Sequence, residues 1–261
     1  MSERRFGGYA LRRLLGRGAS ASVVEATAPD GRRVALKVPH PHVQDDALER
    51  EAARAMAVSS PHVVRVEGVV REGRDRALVL ELVLGETLAA RLERGAFALD
   101  EAHRLAHELS AGLAAIHGAA ADGVALGLVH GDVSPANVLL DEHGRAKLTD
   151  LGLARRRALT ALSQSGGIHG SVGYVAPEVI RGRPSTPRAD VFALGVVLHE
   201  AITGRRAFEG RTDLERLRAT VEVTLAAIDG PLGSWIQRCT HKRPEARPTD
   251  GAAAMAALVR H

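Results

Sequence analysis

Short runs of apolar and β-branched residues alternate with polar turns along the first 85 residues of the chain. Five runs have the length and composition of β-strands: residues 9–15, 22–28, 33–38, 63–70 and 77–82. The Pro-Asp-Gly sequence at 29–31 is a strong turn signal and predicts a hairpin between the second and third runs. A helix is predicted over residues 47–58, with polar residues 44–46 available to cap it. The pattern indicates a small antiparallel sheet with one helix.

Helical spacing dominates after residue 85. Residues 100–117 carry one apolar face, made of Ala102, Leu105, Leu109, Leu113 and Ile116. Residues 189–203 are apolar on nearly every side, which predicts a helix in the centre of a lobe. We therefore predict an α+β, bilobal fold, with a sheet lobe over about residues 9–83 and a larger helical lobe over about 84–258. A ligand is expected in the cleft between two such unlike lobes.

Composition and charge narrow the classes of partner. The chain is 45% hydrophobic and 25% charged but only 3% aromatic, so its core must be built from Leu, Val and Ala. The net charge of +4 is mildly basic, and without a basic patch interleaved with aromatics we expect no nucleic-acid partner. The single cysteine, Cys239, fits a reducing cytoplasm. Neither a signal peptide nor an apolar run long enough for a membrane span is found, so no membrane segment is expected.

A glycine-containing segment lies between the first two predicted strands. It consists of Gly16, Arg17, Gly18, Ala19 and Ser20. Glycines let a backbone approach phosphate oxygens closely and turn its N–H groups toward them. The segment is therefore a candidate phosphate-binding loop, although an ordinary hairpin could have the same composition.

A lysine ends the third predicted strand, in the sequence Val34-Ala35-Leu36-Lys37. A buried ammonium group without a partner is costly, and Glu51 on the following helix is a natural partner for Lys37. The alternative for an isolated pair of this kind is an ordinary surface salt bridge.

Three polar residues in the second half have the spacing of a phosphoryl-transfer site. Asp132 precedes Asn137 by five positions in a segment with apolar ends, and Asp150 follows a turn and a second apolar run. Mg²⁺ (or Mn²⁺) bound to phosphates needs only one or two protein oxygens, which Asn137 and Asp150 can supply. Asp132 is then available as the base that orients a hydroxyl nucleophile. The arrangement is typical of phosphoryl transfer, in which catalysis is positioning plus charge neutralisation.

Taken in order, these segments resemble the signature of protein kinases. The motifs are Gly16-x-Gly18, Val34-Ala35-Leu36-Lys37, Glu51, Ser60-Pro61-His62-Val63-Val64, His130-x-Asp132-x4-Asn137, Asp150-Leu151-Gly152, Ala176-Pro177-Glu178, Asp190-x4-Gly195 and Arg247-Pro248. Together they cover about residues 9–258, nearly the whole chain. The resemblance is to the eukaryotic-like (Hanks-type) Ser/Thr protein kinase domains of bacteria. It implies transfer of the γ-phosphate of ATP to Ser or Thr hydroxyls of protein substrates.

The resemblance also implies residue roles. Lys37 would bind the α- and β-phosphates and pair with Glu51, and these two would act with Asp132, the catalytic base. Asn137 and Asp150 would bind Mg²⁺. The nucleotide would contact Gly16, Arg17, Gly18, Ala19, Ser20, Val23, Ala35, Lys37, Leu80, Glu81, Val83 and Leu139. In the larger lobe, Glu178 and Arg247 would form a buried ion pair, and Asp190 would brace the loop that carries Asp132.

Two departures from the family pattern keep alternatives open. Gly131 replaces the arginine usually found before the catalytic aspartate, so control by a phosphorylated activation loop should matter less. Ser134 replaces a lysine that contacts the γ-phosphate, a loss of about 2–3 kcal/mol in the transition state. One alternative is a pseudokinase that binds nucleotide without transfer. The other is a small-molecule phosphotransferase, since His130-Gly131-Asp132 followed by Asn137 also resembles the aminoglycoside and choline kinases.

Overall fold

The computed structural model describes residues 4–18, 21–40, 47–151 and 172–259, without the side chains of Ala47, Glu51 and Val259. The chain divides into two units. One unit takes the residues up to Ser59 together with Val64–Leu84, and the other takes Ser60–Val63 and the chain from Gly85 onward.

The first unit is an antiparallel sheet with one helix, as the hydrophobic pattern predicts. Its strands are β1 (Arg5–Phe6), β2 (Tyr9–Arg17), β3 (Ala21–Thr27), β4 (Arg33–Pro39), β5 (Val66–Glu72) and β6 (Asp75–Glu81), in the order β1-β2-β3-β4-β6-β5. Helix α1 (Ala47–Met56) packs against β5. The predicted hairpin is confirmed: Gly31, at φ 86°, donates its N–H to the carbonyl of Ala28 and turns β3 into β4. Ala26, Leu36 and Ala77 are fully buried in its apolar core.

The predicted strand over residues 63–70 is wrong at its start, because β5 begins only at Val66. Residues 60–63 belong to the second unit, where the carbonyl of His62 accepts a hydrogen bond from the N–H of Leu148. Val63 forms an isolated bridge with Leu148. Gly112 lies against the His62 carbonyl so closely that a Cβ there would be 2.7 Å from the oxygen. The apolar run is continuous in sequence, but its backbone groups find their partners in two different units.

The second unit is mainly helical. Its helices are α2 (Leu88–Leu92), α3 (Leu99–His117), α4 (Pro177–Ile180), α5 (Pro187–Thr203), α6 (Asp213–Glu222), α7 (Pro231–Cys239) and α8 (Gly251–Val259). Its short strands are β7 (Gly85–Thr87), β8 (Ala120–Ala121), β9 (Val124–Ala125), β10 (Val138–Asp141) and β11 (Ala146–Leu148). They form one sheet of order β11-β10-β7 and the two-stranded ribbon β8-β9. The α+β class predicted from the sequence is confirmed.

Helix α5 lies at the centre of this unit, as its apolar sequence predicts. It packs against α3, α7 and α8, and Phe192 and Leu198 on it are completely buried. Pro187 at its start has no N–H to leave unpaired, and Gly204 ends it at φ 65°, a conformation that glycine adopts without strain. Trp235 and Cys239 on α7 are also fully buried, which confirms them as core residues. Among the described residues, no helix is both long and apolar enough to cross a membrane.

Candidate active site

A carboxylate on α5 accepts hydrogen bonds from the backbone of the loop that carries Asp132. Asp190 accepts hydrogen bonds from the backbone N–H of His130 (2.7 Å) and of Gly131 (2.8 Å). Its side chain is almost completely buried, so its charge is compensated by these donors and by His117 Nε2 at 3.0 Å. Gly131 lies at φ 77°, where a side chain would be strained. The bracing role predicted for Asp190 is confirmed.

His130 joins this loop to the segment that contains Asp150. Its Nδ1 accepts the N–H of Asp132 at 3.2 Å, so Nε2 carries the proton and donates to the carbonyl of Thr149 at 3.0 Å. The N–H of Thr149 in turn donates to the carbonyl of Asn137 at 3.0 Å. Asp150 follows Thr149 directly, so its backbone is tied to both ends of the loop.

Asp132 and Asn137 are in direct contact. The amide nitrogen of Asn137 donates to Asp132 Oδ2 at 2.8 Å and to the Asp132 carbonyl at 2.9 Å. This contact fixes the orientation of the carboxylate. It also commits the nitrogen of the Asn137 amide to Asp132, so the amide oxygen is the atom that remains for a cation.

Asp150 has an uncommon backbone conformation. Its φ of 63° places a non-glycine residue in the left-handed region, a conformation found repeatedly at functional sites. An amide oxygen from Asn137 and a carboxylate from Asp150 are hard oxygen ligands that suit Mg²⁺ or Mn²⁺ on a phosphate-bearing ligand. No group of three or more His, Cys, Asp or Glu side chains that could hold a metal ion occurs in the described ranges, so a cation here would complete its coordination with phosphate oxygens and water.

The predicted nucleotide contacts of the first unit lie on neighbouring strands. Lys37 on β4 pairs with Val23 on β3, and Ala35 on β4 pairs with Leu80 on β6. Glu81 ends β6, and Val83 follows it. At the end of β2, the N–H of Gly18 donates to the carbonyl of Ala21 at 2.8 Å and closes a turn there. A further predicted contact, Leu139, lies on β10 of the second unit.

Some predicted residues lie outside the described part of the chain. Ala19 and Ser20 of the glycine-containing segment and Gly152 of the Asp150 motif are among them, as is the side chain of Glu51. The backbone of Glu51 is helical within α1. The pairing of Lys37 with Glu51 therefore stays a prediction.

Gly131 and Ser134, the two residues that depart from the family pattern, are both buried. Ser134 is 2% exposed, and its hydroxyl has no hydrogen-bond partner among the described residues. The hydroxyl therefore lies in the interior and does not replace a cation at the surface of the loop. Gly131, also buried, offers only its N–H, which Asp190 takes.

Two buried side-chain contacts stabilise this unit, an ion pair and a hydrogen bond to a glutamate. Arg247 forms the predicted ion pair with Glu178, at 2.8 and 2.9 Å, and both side chains are buried. The hydroxyl of Tyr174 donates to Glu200 on α5 at 2.6 Å. Burial of the Glu200 carboxyl raises its pKa, and burial likewise raises the pKa of Tyr174. Sequence reasoning missed this second contact, although a glutamate inside an otherwise apolar helix was a signal for it.

Comparison with known proteins agrees with the motifs. A family profile described as protein kinase domain matches residues 9–261. "Probable serine/threonine-protein kinase pknA2" of Bifidobacterium longum is 32% identical over 95% of this chain and 34% of its own length. Serine/threonine-protein kinase PkaA of Streptomyces coelicolor is 35% identical over 92% of this chain and 48% of its own. Serine/threonine-protein kinase PknA of Mycobacterium tuberculosis is 36% identical over 78% of this chain and 48% of its own length.

The fold has a solved counterpart. The crystal structure of Rad53 1–466 in complex with AMP-PNP matches with a TM-score of 0.78 at 23% identity, over 95% of this chain and 64% of that one. At this identity the likeness shows the fold alone, which confirms the predicted kinase-like architecture. The chain spans between a third and a half of the length of the three curated relatives above. The profile match over nearly the whole sequence shows that this chain belongs to the protein kinase domain family.

Proposed function

We propose that the chain transfers the γ-phosphate of ATP to Ser or Thr hydroxyls of protein substrates. The observation that carries the proposal is the tie between Asp132, Asn137 and the segment of Asp150. One amide holds the Asp132 carboxylate, and backbone hydrogen bonds through Thr149 hold Asp150 to the same loop. The relatives named above are called serine/threonine-protein kinases, which supports Ser and Thr as the acceptors.

In this proposal each residue acts through position and charge. Asp132 Oδ1 accepts a hydrogen bond from the substrate hydroxyl and takes its proton as the hydroxyl oxygen bonds to the γ-phosphorus. The bond between that phosphorus and the β,γ-bridging oxygen breaks, and ADP leaves. Asn137 fixes the other carboxylate oxygen through its amide nitrogen. A divalent cation, Mg²⁺ or Mn²⁺, would be held by the Asn137 amide oxygen and by Asp150, and it would neutralise charge on the phosphates. Asp190 and His130 keep the loop from shifting away from this arrangement.

The proposed nucleotide site consists of the residues that the family resemblance implies. Lys37 would bind the α- and β-phosphates and pair with Glu51, as the family resemblance implies. Its other members are Gly16, Arg17, Gly18, Ala19, Ser20, Val23, Ala35, Leu80, Glu81, Val83 and Leu139. We propose that the kinase domain extends over residues 9–258, with lobes of about 9–83 and 84–258. The buried free thiol of Cys239 is compatible with a cytoplasmic location.

A second candidate, nucleotide binding without transfer, is favoured by one observation. The interior position of the Ser134 hydroxyl means that neither residue 131 nor residue 134 places a cation beside Asp132. The small-molecule phosphotransferase alternative is not favoured, because the protein kinase domain profile matches the chain.

Replacement of Asp132 by Asn tests the proposal. The substitution keeps the size of the side chain and removes the base, so phosphate transfer from labelled ATP to a generic basic protein should fall at least about 100-fold. Glu142→Gln is the matched control, because Glu142 is an exposed acidic residue of the same unit, and it should transfer like the wild type. Equal transfer by Asp132→Asn and the wild type would contradict the proposal. ATP binding without transfer in the wild type would support the binding-module alternative.

A further inference from the structure

A polar pocket of about 160 Å³ opens in the second unit beside Tyr174. Its wall carries two guanidinium groups, from Arg206 and Arg216, and one carboxylate, from Glu200. Phe208 contributes an apolar face. None of these residues belongs to the proposed nucleotide or metal site.

The pocket shares one lining residue with a cavity at the proposed catalytic base. Tyr174 lines the pocket and also lines a small cavity whose wall includes Asp132 and Gly131. The inference requires that a polypeptide presenting a hydroxyl to Asp132 extends past Tyr174 to the pocket with its neighbouring residues. This inference rests on the proposed function, because it concerns the substrate of the same site.

The carboxylate in the pocket is already engaged. Glu200 accepts the Tyr174 hydroxyl on Oε2 at 2.6 Å and the N–H of Ala207 on Oε1 at 2.9 Å. It is 8% exposed, and the positive charge of Arg206 acts on it from the pocket wall. A basic ligand would have to compete with these donors and with Arg206, so Glu200 is a poor receptor for a cation.

The two guanidinium groups are positioned differently. Arg216 is anchored at the start of α6, with Nε donating to the Gly210 carbonyl at 3.2 Å and Nη1 to Asp213 at 3.1 Å. Its Nη2 atom has no such anchor among the described residues and is available to a ligand. Arg206 is solvent-exposed, and within the described ranges its guanidinium donates no hydrogen bond. The planar guanidinium of Arg206 keeps its N–H donors for a ligand and matches the geometry of a carboxylate.

We propose that this pocket binds an acidic side chain of the protein substrate, close in sequence to the phosphorylated Ser or Thr. Arg206 makes the main contact, and Arg216 Nη2 adds a second donor from a fixed position. The pocket thereby selects Asp or Glu at one position near the acceptor residue. Phosphoserine has the same anionic chemistry and is expected to be accepted at that position as well.

Synthetic peptides with a central serine test the proposal when Asp, Leu or Arg is placed in turn at each flanking position. The wild type should prefer Asp at one position, with kcat/KM about tenfold higher than for Leu. Arg206→Gln should lose this preference, so that the Asp and Leu peptides are transferred alike. Arg205→Gln is the matched control, because Arg205 is the adjacent exposed arginine and does not line the pocket, and it should keep the preference. Arg206→Glu should shift the preference to Arg.

Equilibrium binding of the same peptides, measured by fluorescence anisotropy at constant ionic strength, separates this inference from the proposed function. Weaker binding of the Asp peptide to Arg206→Gln, with Arg205→Gln unchanged, supports the pocket even if no transfer occurs. Transfer without an acidic preference, or with a preference that Arg206→Gln retains, overturns the inference and leaves the kinase activity standing. Preferential binding of the Arg peptide by the wild type also overturns it.

Discussion

At the residue scale, Arg247 makes a set of contacts that only a guanidinium can make. Besides its two hydrogen bonds to Glu178, it donates to the carbonyls of His241 (2.6 Å), Arg188 (3.1 Å) and Lys242 (3.1 Å). Its guanidinium carbon lies 4.8 Å from the centre of the Phe192 ring. The side chain is completely buried, so these partners replace all of its hydration.

We predict that Arg247→Met lowers the free energy of unfolding by about 3–5 kcal/mol, because it leaves the buried Glu178 charge without its partner. Arg247→Lys should lose much of the same stability, since an ammonium cannot bind Glu178 with two nitrogens and reach three carbonyls. Chemical denaturation measures both. Arg243→Met, at an exposed neighbouring position, is the control and should change stability by less than about 0.5 kcal/mol. A cost for Arg247→Met no larger than that of the control would contradict the prediction.

Burial of His199 on α5 makes the free energy of unfolding depend on pH. It is 7% exposed, and neither ring nitrogen hydrogen-bonds a described side chain. Burial lowers its pKa from the usual 6.5, and a weaker interaction with the backbone of Ala226 acts in the opposite direction. The folded protein therefore keeps His199 neutral while the unfolded chain takes up a proton below pH 6.5.

We predict that this group does not change the free energy of unfolding well above pH 6.5. The free energy of unfolding should decrease as the pH falls from 6.5 toward the lowered pKa of His199 in the folded state. The free energy of unfolding of the wild type should thus fall, relative to His199→Leu, between about pH 7.5 and pH 5.5. The comparison with His199→Leu cancels the contribution of other groups, including Glu200. A constant difference between wild type and His199→Leu over this range would refute the prediction.

At the element scale, α8 packs closely against α3 at Gly251. A Cβ on Gly251 would lie 2.5 Å from the carbonyl carbon of Leu113 and would overlap the backbone nitrogen of Ala114. The N–H of Gly251 donates to His117 Nδ1 at 3.0 Å, and His117 Nε2 donates to Asp190. The start of α8 is therefore connected, through one imidazole, to the carboxylate that braces the catalytic loop.

We predict that Gly251→Ala forces α8 away from α3 and costs about 1–3 kcal/mol, because the Cβ meets backbone atoms that cannot rotate aside. The shift also removes the acceptor of the Gly251 N–H and disturbs the orientation of His117. Thermal and chemical denaturation report the cost. Gly173→Ala is a matched control, since a Cβ there has no neighbour within 4 Å. Equal stability of the two variants would show that α8 is not held at Gly251.

At the scale of the whole molecule, the proposed reaction requires ATP and a divalent cation as ligands of the folded protein. A ligand that binds only the folded state stabilises it by about 2.7 kcal/mol at 100 times its Kd. Nucleotide binding should therefore be visible as a rise in Tm even where transfer is slow.

We predict that ATP raises Tm more with Mg²⁺ than with EDTA, and that Asp150→Asn and Asn137→Ala each remove most of the Mg²⁺-dependent part. Asp122→Asn is a close control for Asp150→Asn, because Asp122 is also an aspartate at positive φ (50°) but is exposed on the β8-β9 ribbon. It should keep the full Mg²⁺ effect. An Mg²⁺ effect that survives in both site variants would place the cation elsewhere.

Several features could be predicted from particular residues because their signals are local. The spacing of Asp132 and Asn137 predicted two groups that the structure brings into contact, and the Pro-Asp-Gly sequence predicted the turn between β3 and β4. The apolar sequence of α5 predicted its central position. The ion pair of Arg247 with Glu178 came from the family resemblance, since the two residues are 69 positions apart and no local pattern connects them.

By itself, then, the sequence determined the main strands of the first unit, the long helices α3 and α5 and the α+β class, because these depend on periodicity and short spacing. The family resemblance of its motifs identified the residues proposed to carry the chemistry. Only the tertiary structure decided which groups share a partner. It left residues 63–65 outside the strand predicted over 63–70, turned the Ser134 hydroxyl inward, engaged Glu200 with Tyr174 and placed Arg206 in the wall of a pocket. Hydrogen bonding and desolvation set these outcomes, and both depend on atoms brought close from distant parts of the chain.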